Sequence, residues 1–248
     1  MTNPNKKYAN RGPLSTEEIQ TMLDKAAKID NEYFRLRVQA LIGILKKFGK
    51  RRLEISTLKL TDLKVENDFL YVTFILRKKH KLGLFQYLKF LKKESPEGLN
   101  KPYPVLVAEW QTWRLTEEGQ HVKEEKRTKK VSVTDKYAKL ILEYTGYLTE
   151  KHPTAQYLFP SGHTAFGQTY LVIGDKPLSG RQLLNIIKPL NPKAWLHLFR
   201  ELIGKEIAEA DGSIQGVYRV KETLDLEQEE TAWRYIRRFG VQEVKTET

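Results

Sequence analysis

Apolar residues recur at helical spacing along most of the chain, and Gly, Pro and polar residues separate these stretches. The first helix is expected to begin after Ser15, because Glu18 three residues later completes a capping box. The apolar positions that follow it are Ile19, Met22, Leu23 and Ala26. A second helix is predicted over about 32–48, and Gly49 is expected to end it.

The same spacing predicts helices in the second half of the chain. The predicted ranges are about 52–58, 135–150, 179–189, 194–210 and 226–238. Thr134 is the expected cap of the helix from 135, and Gly212 with Gly216 is expected to mark a break before the last helix.

Two short segments have the β-branched and aromatic content that is typical of strands. They are residues 69–76 (FLYVTFIL) and 130–133 (KVSV), whereas the charged segment 117–130 indicates a turn or a mobile loop. Together, the patterns predict an α+β, mainly helical fold with one small antiparallel sheet.

Composition and charge divide the chain into three parts, and the middle part contains a long insertion. Residues 1–13 are polar and basic and indicate a flexible arm or linker stub, and residues 14–240 are expected to form the folded domain. Residues 77–129 interrupt the sheet as a long insertion, and 241–248 form a short tail.

Charge and cysteine content narrow the class of protein. The 248 residues include 43 Lys and Arg against 31 Asp and Glu, a net charge of +12, and no cysteine. The lack of cysteine excludes disulfides, thiolate zinc sites and cysteine nucleophiles. No apolar run reaches the roughly 18 residues of a membrane span, and the N-terminus is unlike a secretory signal. We expect a soluble, cytoplasmic protein whose positive charge favours nucleic acid as its partner.

A basic run within the insertion strengthens this expectation. Residues 77–93 hold seven Lys and Arg and no acidic residue, interleaved with apolar and aromatic side chains. Such a run can be simply a solvated face, but the interleaved aromatics favour contacts with backbone phosphates.

Four side chains have the chemistry of phosphoryl transfer to a tyrosine. Arg51 follows the second predicted helix, His197 and Arg200 share one helix face at i and i+3, and Tyr235 lies in the last helix. Arginine holds phosphate oxygens with a planar fork. A tyrosine hydroxyl, with a pKa of about 10, needs a base or a positive field to attack, and neutral His197 can be that base.

Each of these residues also has a structural interpretation. Arg51 can stabilise a helix C-terminus, His197 can be a hydrogen-bonded core histidine, and Tyr235 is one of 12 tyrosines. Glu54 is expected to pair with a nearby arginine. The five histidines form no metal-spaced pair, so no metal site is predicted.

The order of these residues resembles that in the catalytic domain of the tyrosine recombinases, the phage-integrase family. The matching residues are Arg51, Glu54 and Asp62 in the first box, His197-Leu198-Phe199-Arg200 in the second, and Thr231 with Tyr235 in the nucleophile helix. Residues 157–160 (YLFP) are similar to the connection that precedes the family's penultimate helices. The resemblance implies the fold of the DNA breaking-rejoining enzymes over 14–240.

The chain departs from the family pattern at four points. Glu201 stands where the second box usually continues with His, and Leu226 stands where the third box usually has His or Trp. Arg219 or Lys221 is a candidate for the missing donor. The interval between the arginine boxes is longer than usual, because of the insertion. The family's N-terminal DNA-clamping domain is expected to be absent from this sequence, which would make it either a catalytic fragment or a naturally short member.

The resemblance also implies roles for the residues. Tyr235 would attack a phosphate of double-stranded DNA to form a 3′-phosphotyrosyl link, while Arg51 and Arg200 hold the nonbridging oxygens and His197 assists proton removal. A lysine would protonate the leaving 5′ oxygen, and the candidates are Lys78 and Lys79, with Lys129 as a rival. No metal, ATP or other cofactor is expected. Family members act as tetramers on DNA, and a monomer is expected without it.

Three functions are open at this point. The first is a site-specific recombinase or integrase of a mobile element, acting at the nucleoid. The second is a type IB topoisomerase or telomere resolvase, which the same residues can support. The third is a DNA-binding relative that has lost catalysis. Leu226 and Glu201 suggest it, because they stand where the family pattern has other residues.

Overall fold

The computed structural model describes residues 12–164 and 171–240, with the backbone alone at 77–81, 120–124, 163–164 and 171–172. The predicted arm lies outside the described residues except for Gly12 and Pro13, and so does the predicted tail. No helix within the described ranges is long and apolar enough to cross a membrane.

The described residues form a mainly helical fold with two small antiparallel sheets. The helices are α1 (Thr16–Ala27), α2 (Glu32–Phe48), α3 (Arg52–Ser56), α4 (Leu84–Glu94), α5 (Tyr103–Trp113), α6 (Lys136–Lys151), α7 (Gly180–Ile187), α8 (Leu196–Ala210), α9 (Ile214–Thr223) and α10 (Glu229–Phe239). The strands are β1 (Leu63–Glu66), β2 (Phe69–Lys81), β3 (Gln120–Ser132), β4 (Pro160–Thr164) and β5 (Leu171–Pro177). The predicted fold class, mainly helical with a small antiparallel sheet, is confirmed.

The sheets are larger than the sequence pattern predicts. The first has the order β1-β2-β3, with β1 antiparallel to β2 and Leu63 opposite Val72. The segment 117–130, predicted as a turn or loop, forms most of β3, so that prediction is wrong. Strands β4 and β5 form a second, two-stranded sheet that the pattern does not predict.

Two helix boundaries also differ from the prediction. Asp135, not Thr134, caps α6, because its carboxylate accepts hydrogen bonds from the backbone N–H groups of Tyr137 and Ala138. Gly216 lies inside α9 instead of marking a break. A methyl group at Gly216 would lie 1.8 Å from the Asp211 carbonyl oxygen, so glycine permits a close approach there.

The chain divides into two compact units. Among the described residues, the main unit comprises 12–74, 128–164 and 171–240, and the insertion unit is Ile75–Arg127. The insertion unit has a small core of its own, formed by Tyr87, Leu91, Leu106 and Trp113.

Helix α2 is the centre of the main unit. Its middle residues are fully buried, and it packs against α1, α6, α7 and α8. Gly43 permits the close crossing with α6, since a Cβ there would lie 2.9 Å from the Tyr137 carbonyl oxygen. Because α2 is buried, the position of its last residue, Phe48, is set by the core, and the turn that follows leads to Arg51.

A second apolar cluster joins α8, α9 and α10. Its buried members are Ile203, Ala208, Val217, Val220, Leu224, Ala232 and Ile236. Tyr235 and Leu226 are partly buried against this cluster. The cluster therefore sets where α10 holds Tyr235 relative to α8, which carries His197 and Arg200.

Candidate active site

The turn after α2 presents Arg51. Gly49 ends α2 with a left-handed backbone (φ 54°), a conformation that favours glycine. The buried carboxylate of Glu54 then accepts hydrogen bonds from the Arg51 backbone N–H and from its guanidinium, each at 2.9 Å. The Arg51 side chain is 47% exposed, so Glu54 orients an arginine that solvent can still reach.

Arg200 lies deep in the main unit and is held from two sides. Arg200 is only 3% exposed to solvent. Its Nη1 donates to the carbonyl oxygen of Gly49 at 2.8 Å, and its Nη2 donates to that of Leu224. Burial first, and then the charge of Arg51, lower the pKa of Arg200 from its ordinary value. Arg51 is therefore close enough for its charge to act on the Arg200 guanidinium.

His197 lies one turn before Arg200 on α8. Its side chain is 67% exposed, but the protein around the imidazole partly desolvates it and lowers its pKa. The charges of Arg200 and Arg51 lower this pKa further, whereas Glu201 raises it. Nε2 of His197 lies 3.6 Å from a Glu201 carboxylate oxygen. These effects favour the neutral imidazole at pH 7.

Tyr235 reaches α8 from α10. Its ring lies on Gly204, where a Cβ would be 2.2 Å from Cδ1 and 2.4 Å from Cε1 of the ring. Burial raises the pKa of Tyr235, while the charges of Arg200 and Arg51 lower it. Burial outweighs these charges, so the pKa of Tyr235 stays above its ordinary value and the phenol needs a base to lose its proton.

Three of these four side chains line a cavity of about 260 Å³. Its walls include Arg51, His197 and Arg200, together with Lys50 and Trp195. Tyr235 is not among the described residues that line it, because its ring packs one turn further along α8, on Gly204. The arrangement can bind an anion through two guanidinium groups beside a neutral imidazole.

Of the three lysines predicted as the general acid, the structure describes the side chain of Lys129 alone. Lys78 and Lys79 lie in β2, and their side chains are outside the described residues. Lys129 lies in β3, and its Nζ donates to the Glu222 carbonyl oxygen at 2.6 Å and lies 3.2 Å from the Asp225 carboxylate. Lys129 is therefore already engaged with the connection between α9 and α10.

The third-box position has no polar donor. Leu226 packs against the apolar cluster of α8, α9 and α10. The two candidate replacements are paired elsewhere, since Arg219 lies 3.6 Å from the Asp211 carboxylate and Lys221 lies 3.1 Å from that of Glu229.

Three residues around this site were not predicted from the sequence: Lys50, Gly204 and Asp225. Lys50 is fully buried and forms an ion pair with Asp225, although it reads as part of an exposed basic run. Gly204 seats the Tyr235 ring. Gly204 could be recognised in the sequence as a small residue one turn after Arg200, on the helix face that carries His197. Asp225 has no comparable sequence signal.

Comparison with solved structures identifies the fold. The XerH site-specific recombinase bound to palindromic difH substrate, in a post-cleavage complex, aligns with a TM-score of 0.56 and 15% identity over 96% of this chain. XerH bound to difH in a pre-cleavage complex aligns with 0.55 and 16% over 91%, and XerA recombinase with 0.52 and 14% over 94%. The chain has the tyrosine recombinase fold.

The chain spans about half the length of the XerH structures, 52% and 50%, and 62% of the XerA structure. No family model and no curated protein matches its sequence. The likeness to the tyrosine recombinases is therefore one of fold.

Proposed function

We propose that this chain cuts and rejoins double-stranded DNA in site-specific recombination, through a covalent link to Tyr235. The observation that carries the proposal is the convergence of Arg51, Arg200 and His197 on one cavity, with the Tyr235 ring, from α10, packed on Gly204 one turn after Arg200 on α8. The fold and the basic net charge of +12 support it. The matched XerH structures are recombinases bound to DNA substrates, which supports DNA as the partner.

In this proposal, the Tyr235 hydroxyl attacks a backbone phosphorus atom. The new bond joins the phenolic oxygen to phosphorus, and the bond from phosphorus to the 5′ oxygen breaks. Neutral His197 takes the phenolic proton, and Arg51 and Arg200 neutralise the nonbridging oxygens. The phosphodiester is exchanged for another phosphodiester, so no ATP is consumed. Attack by a different 5′ hydroxyl reverses the step and rejoins the strands.

The leaving 5′ oxygen needs a proton. We propose Lys78 or Lys79 as its source, following the resemblance, with Lys129 as the rival. Lys129 is less suited because its ammonium group already contacts Asp225 and Glu222.

The insertion unit is proposed to add contacts with the DNA backbone. The exposed face of α4 carries Lys89, Lys92 and Lys93, beside Phe85, which is 64% exposed. Lys89 lies over the Phe85 ring at 4.6 Å, and Lys93 pairs with Glu94. Lysines on one helix face suit contacts that do not depend on base sequence.

Assembly on DNA is part of the proposal. Exchange between two duplexes needs four strand cleavages, so we propose four copies on two DNA molecules and a monomer without DNA. Recombination of this kind would take place at the nucleoid and would serve integration of a mobile element. Light scattering with and without the captured DNA measures the two states.

Capture of a covalent adduct tests the proposal. The protein is incubated with a pool of nicked duplexes, in which the cleaved end diffuses away, and SDS-resistant adducts are isolated and their DNA sequenced. We expect adducts with the wild type and none with Tyr235→Phe. Tyr218→Phe is the matched control, because Tyr218 is an exposed tyrosine on α9 and should leave adduct formation unchanged.

Three results separate the alternatives. DNA binding without any adduct indicates a relative without catalysis and overturns the proposal. Equal adducts with Tyr235→Phe also overturn it, because another group must then be the nucleophile. Relaxation of supercoiled plasmid at many unrelated sequences favours the topoisomerase function.

A further inference from the structure

Arg200 is held by two carbonyl groups from distant parts of the chain. One belongs to Gly49, in the turn between α2 and α3, and the other to Leu224, at the end of α9. The guanidinium group thus spans the gap between two loops. Its orientation in the cavity depends on the distance between these loops.

The residues that follow the two carbonyls pair with each other. Lys50 follows Gly49, Asp225 follows Leu224, and the Lys50 ammonium forms an ion pair with the Asp225 carboxylate. The Lys50 side chain is 0% exposed and that of Asp225 is 7% exposed. The ion pair therefore crosses the same gap as Arg200, one residue further along both loops.

Lys129 braces this pair from the sheet. Its Nζ lies 3.2 Å from the Asp225 carboxylate and donates to the Glu222 carbonyl oxygen at 2.6 Å. Asp225 itself has a left-handed backbone (φ 46°), which aspartate tolerates better than most residues. The connection between α9 and α10 is thus held by three cations, which are Arg200, Lys50 and Lys129.

A buried ion pair is an unusual choice for this position. Lysine is almost never fully buried unless it is paired, and a well-packed apolar pair is often at least as stable as a buried ion pair. Burial lowers the pKa of Lys50, whereas its hydrogen bond to Asp225 raises it. What the pair provides in addition to packing is a directional link between the two loops.

We propose that the buried Lys50–Asp225 pair, braced by Lys129, is a positioning device that sets the two carbonyls orienting Arg200 towards the scissile phosphate. Lys50 and Asp225 act through Arg200 and do not touch the DNA. This inference rests on the proposed function of the cavity. Lys50 lines that cavity, but its ammonium faces Asp225 and the Phe74 ring, so we assign it positioning and not proton transfer.

The test uses a double variant that removes both charges at once. Lys50→Met keeps an unbranched buried side chain, and Asp225→Asn keeps a residue that tolerates the left-handed backbone. Removing both charges leaves no unpaired charge buried between these two residues. The matched control is Lys46→Met with Glu206→Gln, because this pair is another lysine–carboxylate ion pair of the main unit, from α2 to α8, and is more exposed, at 11% and 40%.

The first readout is single-turnover adduct formation on the captured DNA sequence. We expect the Lys50/Asp225 double variant to form adduct about tenfold more slowly or worse, since misplacement of a group that holds the substrate has effects of this size. DNA affinity and the control variant should stay close to wild type. On a methylphosphonate substrate, whose scissile group has no negative nonbridging oxygen, the difference in rate between the double variant and the wild type should be smaller.

The second readout does not need catalysis. Solvent exchange of the Arg200 guanidinium protons, followed by nuclear magnetic resonance, should be slow in the wild type and faster in the double variant. Lys129→Met should change it in the same direction, and it serves as the test if the double variant does not fold, because the Lys129 side chain is 22% exposed.

The outcomes separate the two proposals. Wild-type adduct and slow exchange retained in the double variant overturn the positioning role and leave the proposed function intact. A wild type without adduct, combined with faster Arg200 exchange in the double variant, overturns the proposed function while the positioning of Arg200 stands. A deficit of equal size on the methylphosphonate substrate also overturns the positioning role.

Discussion

At Gly204, the addition of a single methyl group should slow DNA cleavage strongly and change the stability of the fold only slightly. The Tyr235 ring lies directly on this glycine, one turn after Arg200 on α8. A methyl carbon at Gly204 would lie 2.2 Å from Cδ1 of the ring. Carbon atoms in contact normally lie about 3.5 Å apart or more, so the ring must move by roughly 1.3 Å.

This displacement predicts a large loss of cleavage in Gly204→Ala. A misplacement of about 1 Å can cost on the order of 100-fold in rate, which corresponds to about 2.7 kcal/mol of transition-state free energy. The free energy of unfolding should change much less. Alanine favours the helix over glycine by about 1 kcal/mol, and overpacking against a half-buried ring that can move opposes this gain by about 1–3 kcal/mol.

Gly146→Ala is the matched control for this prediction. Gly146 also lies inside a helix, α6, but nothing is within 4 Å of the position that its Cβ would take. We expect this variant to form adduct at the wild-type rate and to melt at the same or a higher temperature. DNA affinity, measured by fluorescence anisotropy, should be unchanged in both variants.

The assay is single-turnover adduct formation with excess protein on a nicked duplex that carries the captured sequence. Wild-type rates in Gly204→Ala, with an unchanged melting temperature, would refute the reasoning, because Tyr235 would then not need this seat in order to attack. An equal loss in Gly146→Ala would refute it too, since the effect would not depend on the ring.

Three further predictions concern charge and protonation. Glu201 raises the pKa of His197, so Glu201→Gln should lower it and move the acid limb of the cleavage rate to lower pH; a pH–rate profile with a shift to higher pH would contradict this. A 5′-thiolate is a far weaker base than a 5′ alkoxide and leaves without a proton donor, so a substrate with this leaving group should restore cleavage to an alanine variant of Lys78, Lys79 or Lys129 only where that lysine is the acid. DNA affinity should fall about 1000-fold or more between 50 and 200 mM salt if six or more phosphates are contacted, and a flat titration would contradict an electrostatic interface.

The helices with strong local signals could be predicted from the sequence. The capping box of Ser15 and Glu18 begins α1 as predicted, and both of its reciprocal hydrogen bonds are present. Gly49 ends α2 as predicted, in a left-handed conformation. In both cases the information lies within a few residues, so no knowledge of the rest of the fold is needed.

Elements that depend on distant partners could not be predicted. The charged residues 120–130 have little strand propensity, but β3 forms because it pairs with β2, where Thr73 and Thr128 join their hydroxyl groups at 3.0 Å. Gly216 indicates a helix break in the sequence, yet it lies within α9, where a Cβ would collide with the Asp211 carbonyl group. Pairing with a distant strand decides the first case, and a close approach of the preceding turn explains the glycine in the second.

The residues of the candidate site also fall into those that the sequence predicts and those that only the fold reveals. Arg51, His197, Arg200 and Tyr235 can be proposed from residue chemistry and order alone, and the structure places the first three around one cavity. Lys50 could not be found in this way, since its partner Asp225 is 175 residues away along the chain. Groups that position others carry no motif of their own, and only the fold brings them together.

The central claim is that Tyr235 becomes covalently linked to DNA. Digestion of the trapped adduct with nuclease and protease, followed by mass spectrometry, identifies the modified residue directly. The account predicts a nucleotide joined through its 3′ phosphate to the peptide that contains Tyr235. A nucleotide on any other of the 12 tyrosines, or a link through a 5′ phosphate, would contradict it.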